Sequence, residues 1–366
     1  MSFSILFIDD DEKVLDELVA ATNTLLSGDT VDIRKWVPTG VDLDPLPVFN
    51  SKVDEGTILV VTDFDLTAGG TLGLFGSTII GWCQAKLIPV GDYSRRNVGN
   101  LPLEPNPFEL RVPNKTEQAA AYLANIFRGF RDIREQSATN ASLLKAKRGP
   151  AAVLSEMLGA QTLENQLAQY NLRLSTSNAT LLATIQRTVE QAEGDSAAVE
   201  KRLVTNYIVG HMLLNAVLRF PGPIISSQAL CAYVGVGDSE TAALCGFFEV
   251  AAYVGPFSGM GKFFWLHKLD EILAPLLDAL PSDLAGDTGG EFHREALELH
   301  LNRKLARHRC ARCAGMNGGF WCPFTQATVC QKAECSVASS GWIPQGATLC
   351  RIERDFYDEW SPIVGL

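Results

Sequence analysis

TILVVTDFDLTAGG, residues Thr57 to Gly70, is an apolar run that stops on acids. Thr57 to Val61 are β-branched or aliphatic, the composition of a strand covered on both faces. Asp63 and Asp65 follow, then a turn at Gly69 and Gly70. Strands of an α/β sheet that end in carboxylates at a loop are where such sheets keep their chemistry. The start of the chain supplies a matching piece. Ser4 to Ile8 (SILFI) runs directly into Asp9, Asp10 and Asp11. Neighbouring parallel strands would bring these acids to one edge. Carboxylates so gathered repel one another, and hard oxygen ligands of this kind suit Mg2+.

With 366 residues there is chain enough for two or three domains. Hydrophobic content of 46% and charged content of 20% are those of a folded globular protein. The formal net charge of −11 argues against non-specific nucleic-acid binding. The acids at residues 9–11 do not fit a secretory leader, and no apolar run approaches the roughly 18–20 residues of a membrane helix. A cytoplasmic location, away from membranes, is the expectation. Six of the nine cysteines lie between Cys310 and Cys350, which there favours metal over disulfides.

Residues 1–130 alternate strand and helix patterns. After Ser4 to Ile8 comes an amphipathic helix from about Lys13 to Leu26, then a strand at Asp32 to Val37. Val41 to Val53 reads as a Pro-rich loop. After the strand at Thr57 come a helix at Leu72 to Gln84, strands at Lys86 to Val90 and Phe108 to Val112, and a helix from Thr116 to Phe130, capped by Thr116. Five strands with interleaved helices imply a doubly wound parallel sheet, flavodoxin-like in class.

These residues resemble the receiver domain of bacterial response regulators. That family's site has an acidic pair after the first strand, an acceptor Asp ending the third and a basic residue after the fifth. Here the pair is Asp9 with Asp10, or Asp10 with Asp11. The acceptor is Asp63, in the run Asp63-Phe-Asp-Leu-Thr-Ala-Gly-Gly70, where Thr67 replaces the usual Pro. The basic residue is Arg111 or Lys115. The family's switch Ser/Thr falls near Gly91 or Asp92, with Ser94 as a substitute. The resemblance implies a phosphoryl group accepted on Asp63 from a sensor histidine kinase, with Mg2+ held by Asp9, Asp10, Asp11 and Asp63. Asp63-Phe-Asp-Leu-Thr67 also resembles the signature of haloacid-dehalogenase-type phosphatases, with Asp63 the nucleophile and Asp65 the general acid/base. That motif normally follows the first strand, which this one does not.

Residues 131–198 read as a helical linker. Leu163, Leu167, Tyr170, Leu174 and Leu181 follow a 4-3 spacing that suits a short dimer coiled coil or an amphipathic helix packed on its neighbours. Asn140 to Gly149 is the expected linker. Within residues 199–280, Ser226 to Tyr253 has a helix–turn–helix cadence, and Gly255 to Leu266 suits a β-hairpin wing, a winged-helix-like pattern. The recognition helix would be SETAALCGFFEVAAY, which carries no Lys or Arg. DNA readers need cationic and polar side chains there, so a protein partner is favoured over DNA.

Residues 281–366 hold a basic run, Arg303 to Arg312, and then the cysteines. Cys310-x2-Cys313 and Cys330-x4-Cys335, with glycines between, have the spacing of a zinc knuckle. Tetrahedral zinc needs four ligands, and these four are the expected set, with Cys322 and Cys350 as alternates and His308 more distant. Gly-x-Ser-x-Gly, phosphate-loop and His-Glu-x-x-His motifs are all missing from the sequence. The expectation is a phosphoacceptor regulator with a binding output rather than a turnover enzyme. A phosphatase, a phosphorylation-independent scaffold and a DNA-binding regulator are the alternatives, and a homodimer is a further expected partner arrangement.

Overall fold

A computed structural model describes residues 2–39, 44–67, 73–93, 108–140, 143, 149–170, 181, 183–185, 194–281, 289–315, 318–338 and 341–364. The packing divides the chain into two compact units, residues 1–153 with 172–211, and residues 154–171 with 212–366.

The first unit is built on a five-stranded parallel sheet of order β2-β1-β3-β4-β5. Its strands are β1 (Phe3–Ile8), β2 (Val31–Trp36), β3 (Thr57–Thr62), β4 (Val90–Asp92) and β5 (Leu110–Arg111). Every residue of β1 and β3 is buried, as their unbroken apolar runs require. The helices are α1 (Glu12–Leu25), α2 (Pro45–Lys52), α3 (Gly76–Ala85) and α4 (Thr116–Thr139). Leu6 and Val60 share one core with Phe49 of α2 and with Ile79 and Cys83 of α3. On α4, Arg128 pairs with Asp29, just past α1, at 2.8 Å, and Arg131 pairs with the same carboxylate.

The parallel register lines up the strand ends. Ile8 lies beside Thr62, Thr62 beside Asp92, and Asp92 beside Arg111. The residues that follow β1 and β3 therefore emerge on one edge.

Several local expectations change. The Pro-rich stretch is helical: Pro45 stands in the first turn, where a missing N–H costs nothing, and Asp44 accepts the Leu46 N–H at 3.3 Å. Phe49, fully buried, anchors that helix. β4 begins at Val90 rather than Lys86, because Leu87 takes a left-handed φ of 57°. Helix α4 runs on to Thr139, and its N-cap is Lys115, not Thr116, with no side-chain cap bond. Most of the expected linker, residues 141–142 and 144–148, lies outside the described residues. The coiled-coil seam does not form at 161–170. Helices α5 (Pro150–Met157) and α6 (Glu164–Leu167) are short, and tight 3-10 turns flank α6. Leu163, Leu167 and Tyr170 are buried inside their own unit, and Tyr170 donates its hydroxyl to the Phe220 carbonyl at 3.1 Å. Leu174 lies outside the described residues.

Helix α7 spans Gly194–Met212 and passes into a π-helical turn, Leu213–Val217. The second unit then runs β6 (Ile224–Ser226), α8 (Ser227–Tyr233), α9 (Thr241–Phe247), β7 (Phe263–Trp265), α10 (Leu266–Asp278) and α11 (Gly289–Leu301). Ser226 caps α8 through the Ala229 N–H. The expected hairpin at 255–266 is only half present. β7 pairs antiparallel with β6, and the wing's other arm reaches Phe264 through a single bridge from Ala252. Hairpin β8 (Gly318–Cys322) and β9 (Ala327–Cys330), the two-residue strands β10 (Ser336–Val337) and β11 (Ile352–Glu353), and helix α12 (Arg354–Val364) complete the chain. Leu230, Leu244, Leu273, Leu297 and Trp321 belong to one core, so the helices and the cysteine-bearing hairpin are packed together.

Gly235 joins α8 to α9 with φ +67°, and a Cβ there would lie 2.3 Å from the Gly290 carbonyl oxygen. Gly159 has a similar φ of +63° but nothing within 4 Å. Both Ala substitutions should cost about 1 kcal/mol for the left-handed backbone. Gly235→Ala should cost at least about 1 kcal/mol more for the collision. Denaturant unfolding of the two variants checks the difference.

Candidate functional site

Two side-chain clusters gather groups that could hold a metal ion. The first lies at the edge where β1 and β3 end. One carboxylate oxygen from each of Asp9, Asp10 and Asp63 falls within 4.8 Å of the others. Asp9 is 6% exposed and accepts the Asp11 N–H at 2.8 Å. Burial, and after it the charges of Asp63, Asp10 and Asp11, push its pKa up to about 6 against that hydrogen bond. Burial also raises Asp63, opposed by N–H groups of Phe64 and Asp65 and aided by the charges of Asp10 and Asp65.

Asp11 stands apart from this cluster, contrary to its expected place among the ligands. Its carboxylate is turned to the N–H groups of Lys13 and Val14 at 3.0 and 3.2 Å, where it caps α1. Asp65 is held locally too, its Oδ1 accepting the Thr67 hydroxyl at 2.6 Å and the Thr67 N–H at 3.1 Å. Arg111 lies beside Asp92 in the register. Burial depresses its pKa against the charges of Glu109 and Asp92. Lys115 is exposed at the start of α4. Ser94 lies outside the described residues.

Asp92 is a further acid of this edge that the sequence alone does not mark as one. It ends β4 opposite Thr62, one residue before Asp63. Burial pushes its carboxyl up to about 6, with Asp63 and Glu109 adding to the shift and Arg111 opposing it. Its Oδ1 is buried and has no hydrogen-bond partner among the described residues. The signal in the sequence is its position at the end of the fourth strand.

The second cluster is the cysteines. The sulfurs of Cys310, Cys313, Cys330 and Cys335 lie within 4.8 Å of one another. Cys313 and Cys330 are 3.8 Å apart, the edge of a tetrahedron with metal–sulfur bonds of about 2.3 Å. The set is compatible with a zinc site. The first pair sits in a tight loop. The Cys310 N–H donates to the Gly315 carbonyl at 2.9 Å, the Gly315 N–H points at the Cys313 sulfur at 3.4 Å, and Ala314 takes a left-handed φ of 53°. Burial raises the Cys310 thiol, but amides of Cys313, Arg312 and Cys330 outweigh it and leave a pKa of about 7. Cys330 ends β9, and the Cys335 N–H closes the second loop on the Lys332 carbonyl. The alternates are elsewhere. The Cys322 sulfur accepts the Glu353 N–H at 3.3 Å, and Cys350 faces Cys322 electrostatically. His308 is outside the cluster as well.

The basic run is largely occupied. Arg303 binds both oxygens of Glu240, Lys304 binds Glu298 at 2.7 Å and Arg312 binds Asp355 at 2.8 Å. Few of its cations are left for phosphates.

Metal analysis should find about one zinc per chain. Cys330→Ser should lose it, whereas Cys322→Ser and Cys350→Ser should keep it. At the acid edge, the folded pKa values of Asp9 and Asp92 lie above the unfolded value of 3.8. In chelator, their contribution is therefore favourable below about pH 4 and is lost as pH rises through about 6. Asp92→Asn should raise the melting temperature at pH 7.5 and leave it unchanged at pH 4. A matched pair of thermal scans reads this directly.

Among known proteins the chain matches no family model, no curated protein and no solved structure.

Proposed function

We propose that the first unit is a receiver-like module that accepts a phosphoryl group on Asp63, and that the second is a winged-helix-like, zinc-bearing output that binds a protein. The observation that supports this most is the meeting of Asp9, Asp10 and Asp63 where β1 and β3 end on one edge of a β2-β1-β3-β4-β5 sheet. Three carboxylates at one point suit a hard divalent cation, Mg2+ in this reading, and the orphaned Oδ1 of Asp92 adds a further acceptor near Asp63. Bound there, the cation would offset charge on the phosphoryl oxygens.

In the transfer, a carboxylate oxygen of Asp63 bonds to phosphorus as the phosphorus–nitrogen bond of a kinase phosphohistidine breaks. The electron pair returns to the imidazole. Asp9, and Asp10 beside it, keep the acceptor edge anionic and ready for the cation. Of the two expected cations, Arg111 is beside Asp92 in the register. Asp92 occupies the place of the family's hydroxyl switch residue and brings a like charge to the product. That departure favours a second reading, a scaffold that never takes the phosphoryl group. The phosphatase reading is weakened by the grip of Thr67 on Asp65. A sensor histidine kinase in the cytoplasm is the partner that the phosphoacceptor reading requires.

Incubation with acetyl phosphate and Mg2+, followed by intact-mass measurement, should add one phosphoryl group to the wild type and to Asp65→Asn, and none to Asp63→Asn. Repeated turnover of p-nitrophenyl phosphate that disappears in Asp65→Asn would establish the phosphatase instead. An unmodified wild type would leave the scaffold.

A further inference from the structure

The main chain at Asp63 is held from several directions. Its N–H donates to the Ile8 carbonyl at 3.0 Å, which ties it to β1. Its carbonyl accepts the Thr62 hydroxyl at 3.0 Å. The next carbonyl, that of Phe64, accepts the Gly76 N–H at 2.9 Å, and Asp65 forms an antiparallel bridge with Phe75. The first residue of α3 is thus laid directly against the turn that carries Asp63.

That approach leaves room for a glycine and for nothing larger. A Cβ on Gly76 would lie 2.5 Å from the Asp63 carbonyl oxygen, 3.0 Å from the Phe64 Cα and 3.3 Å from the Asp63 carbonyl carbon. All three are backbone atoms, so no flexible side chain can swing aside. Helix α3 cannot retreat either, because Leu74, Ile79 and Cys83 are buried in one core with Leu6 and Val60. β3 is fixed by full burial and by its pairing with β1 and β4. What yields is the Asp63–Phe64 peptide, just past the last residue of β3. A turn of that peptide swings the Asp63 carboxylate, which now lies within 4.8 Å of those of Asp9 and Asp10.

We infer that Gly76 is a positioning residue: the bare Cα at the start of α3 sets the Asp63 main chain so that its carboxylate meets Asp9 and Asp10. The effect on phosphoryl transfer rests on the phosphoacceptor reading, whereas the placement of Asp63 does not.

Gly56, at the other end of β3, supplies the control. A Cβ there would also lie 2.5 Å from a backbone carbonyl oxygen, that of Ser2. Gly56→Ala and Gly76→Ala therefore strain the same strand at opposite ends, and a merely structural role would make them alike. Amide hydrogen exchange of the full chain in chelator should be faster at Asp63 in Gly76→Ala than in Gly56→Ala by at least about 10-fold. Thr62→Val removes the competing hold on the same carbonyl and should leave Asp63 protected to within about 2-fold of the wild type, since Gly76 remains. With acetyl phosphate and Mg2+, intact mass should show phosphoryl uptake slowed at least about 10-fold in Gly76→Ala and little changed in Gly56→Ala. An Asp63 amide equally protected in the two Ala variants would overturn the inference. So would a Thr62→Val chain that loosens Asp63 about 10-fold, or phosphoryl uptake by Gly76→Ala at the wild-type rate. A wild type that takes up no phosphoryl group, alongside the exchange difference, would remove the phosphoacceptor reading and uphold the placement of Asp63 by Gly76.

Discussion

Carboxylates held against one another at the carboxyl edge of a buried parallel sheet set the terms for the first unit. The repulsion is unavoidable once the strands are in register. β1 and β3 are buried on both faces, so neither can slide without exposing apolar side chains, and the acids that follow them are delivered to one place. Asp92 arrives by the same register from β4. The sheet's stability holds these charges together; burial first, and the neighbouring carboxylates after it, raise the pKa values of Asp9 and Asp92. Such an edge holds protons to higher pH than free carboxylates do, and protonation stabilises the folded unit.

The second unit solves a different problem. Its short helices and two-residue strands bury little on their own, so one core runs through both the helix–turn–helix region and the cysteine hairpin. Val234, Leu273 and Leu297 meet Trp321 in that core. Arg351 adds a polar tie. It donates to the Ser336 hydroxyl at 2.6 Å and stacks over Phe320, fastening the last strand to the loop of Cys330 and Cys335. The Arg354 N–H then bonds to the Cys335 carbonyl at the start of the final helix.

Much of this is written locally in the chain. The unbroken apolar runs at Phe3–Ile8 and Thr57–Thr62 announce buried strands, and two close cysteine pairs announce a tetrahedral ligand set. Other features are not local. Three consecutive acids look alike in sequence, and only the start of α1 separates the cap Asp11 from the clustered Asp9 and Asp10. Asp92 belongs to the acid edge through its pairing with Thr62 of β3, thirty residues earlier in the chain. The prolines near Pro45 read as a loop because their composition hides Phe49, whose burial pulls the segment into a helix. Cys322 and Cys350 carry no mark that distinguishes a ligand from a core thiol.

The shared core around Trp321 has a consequence for how this chain was assembled. A knuckle that folds on its own can be moved between proteins like a bead on a string. Here Leu297, Leu305 and Trp321 are interleaved with Leu230, Leu244 and Leu273. Cutting before Cys310 would strip the wall from the helices as surely as it would remove the thiols. The cysteine hairpin is therefore an organ of the second unit and has to be inherited with it.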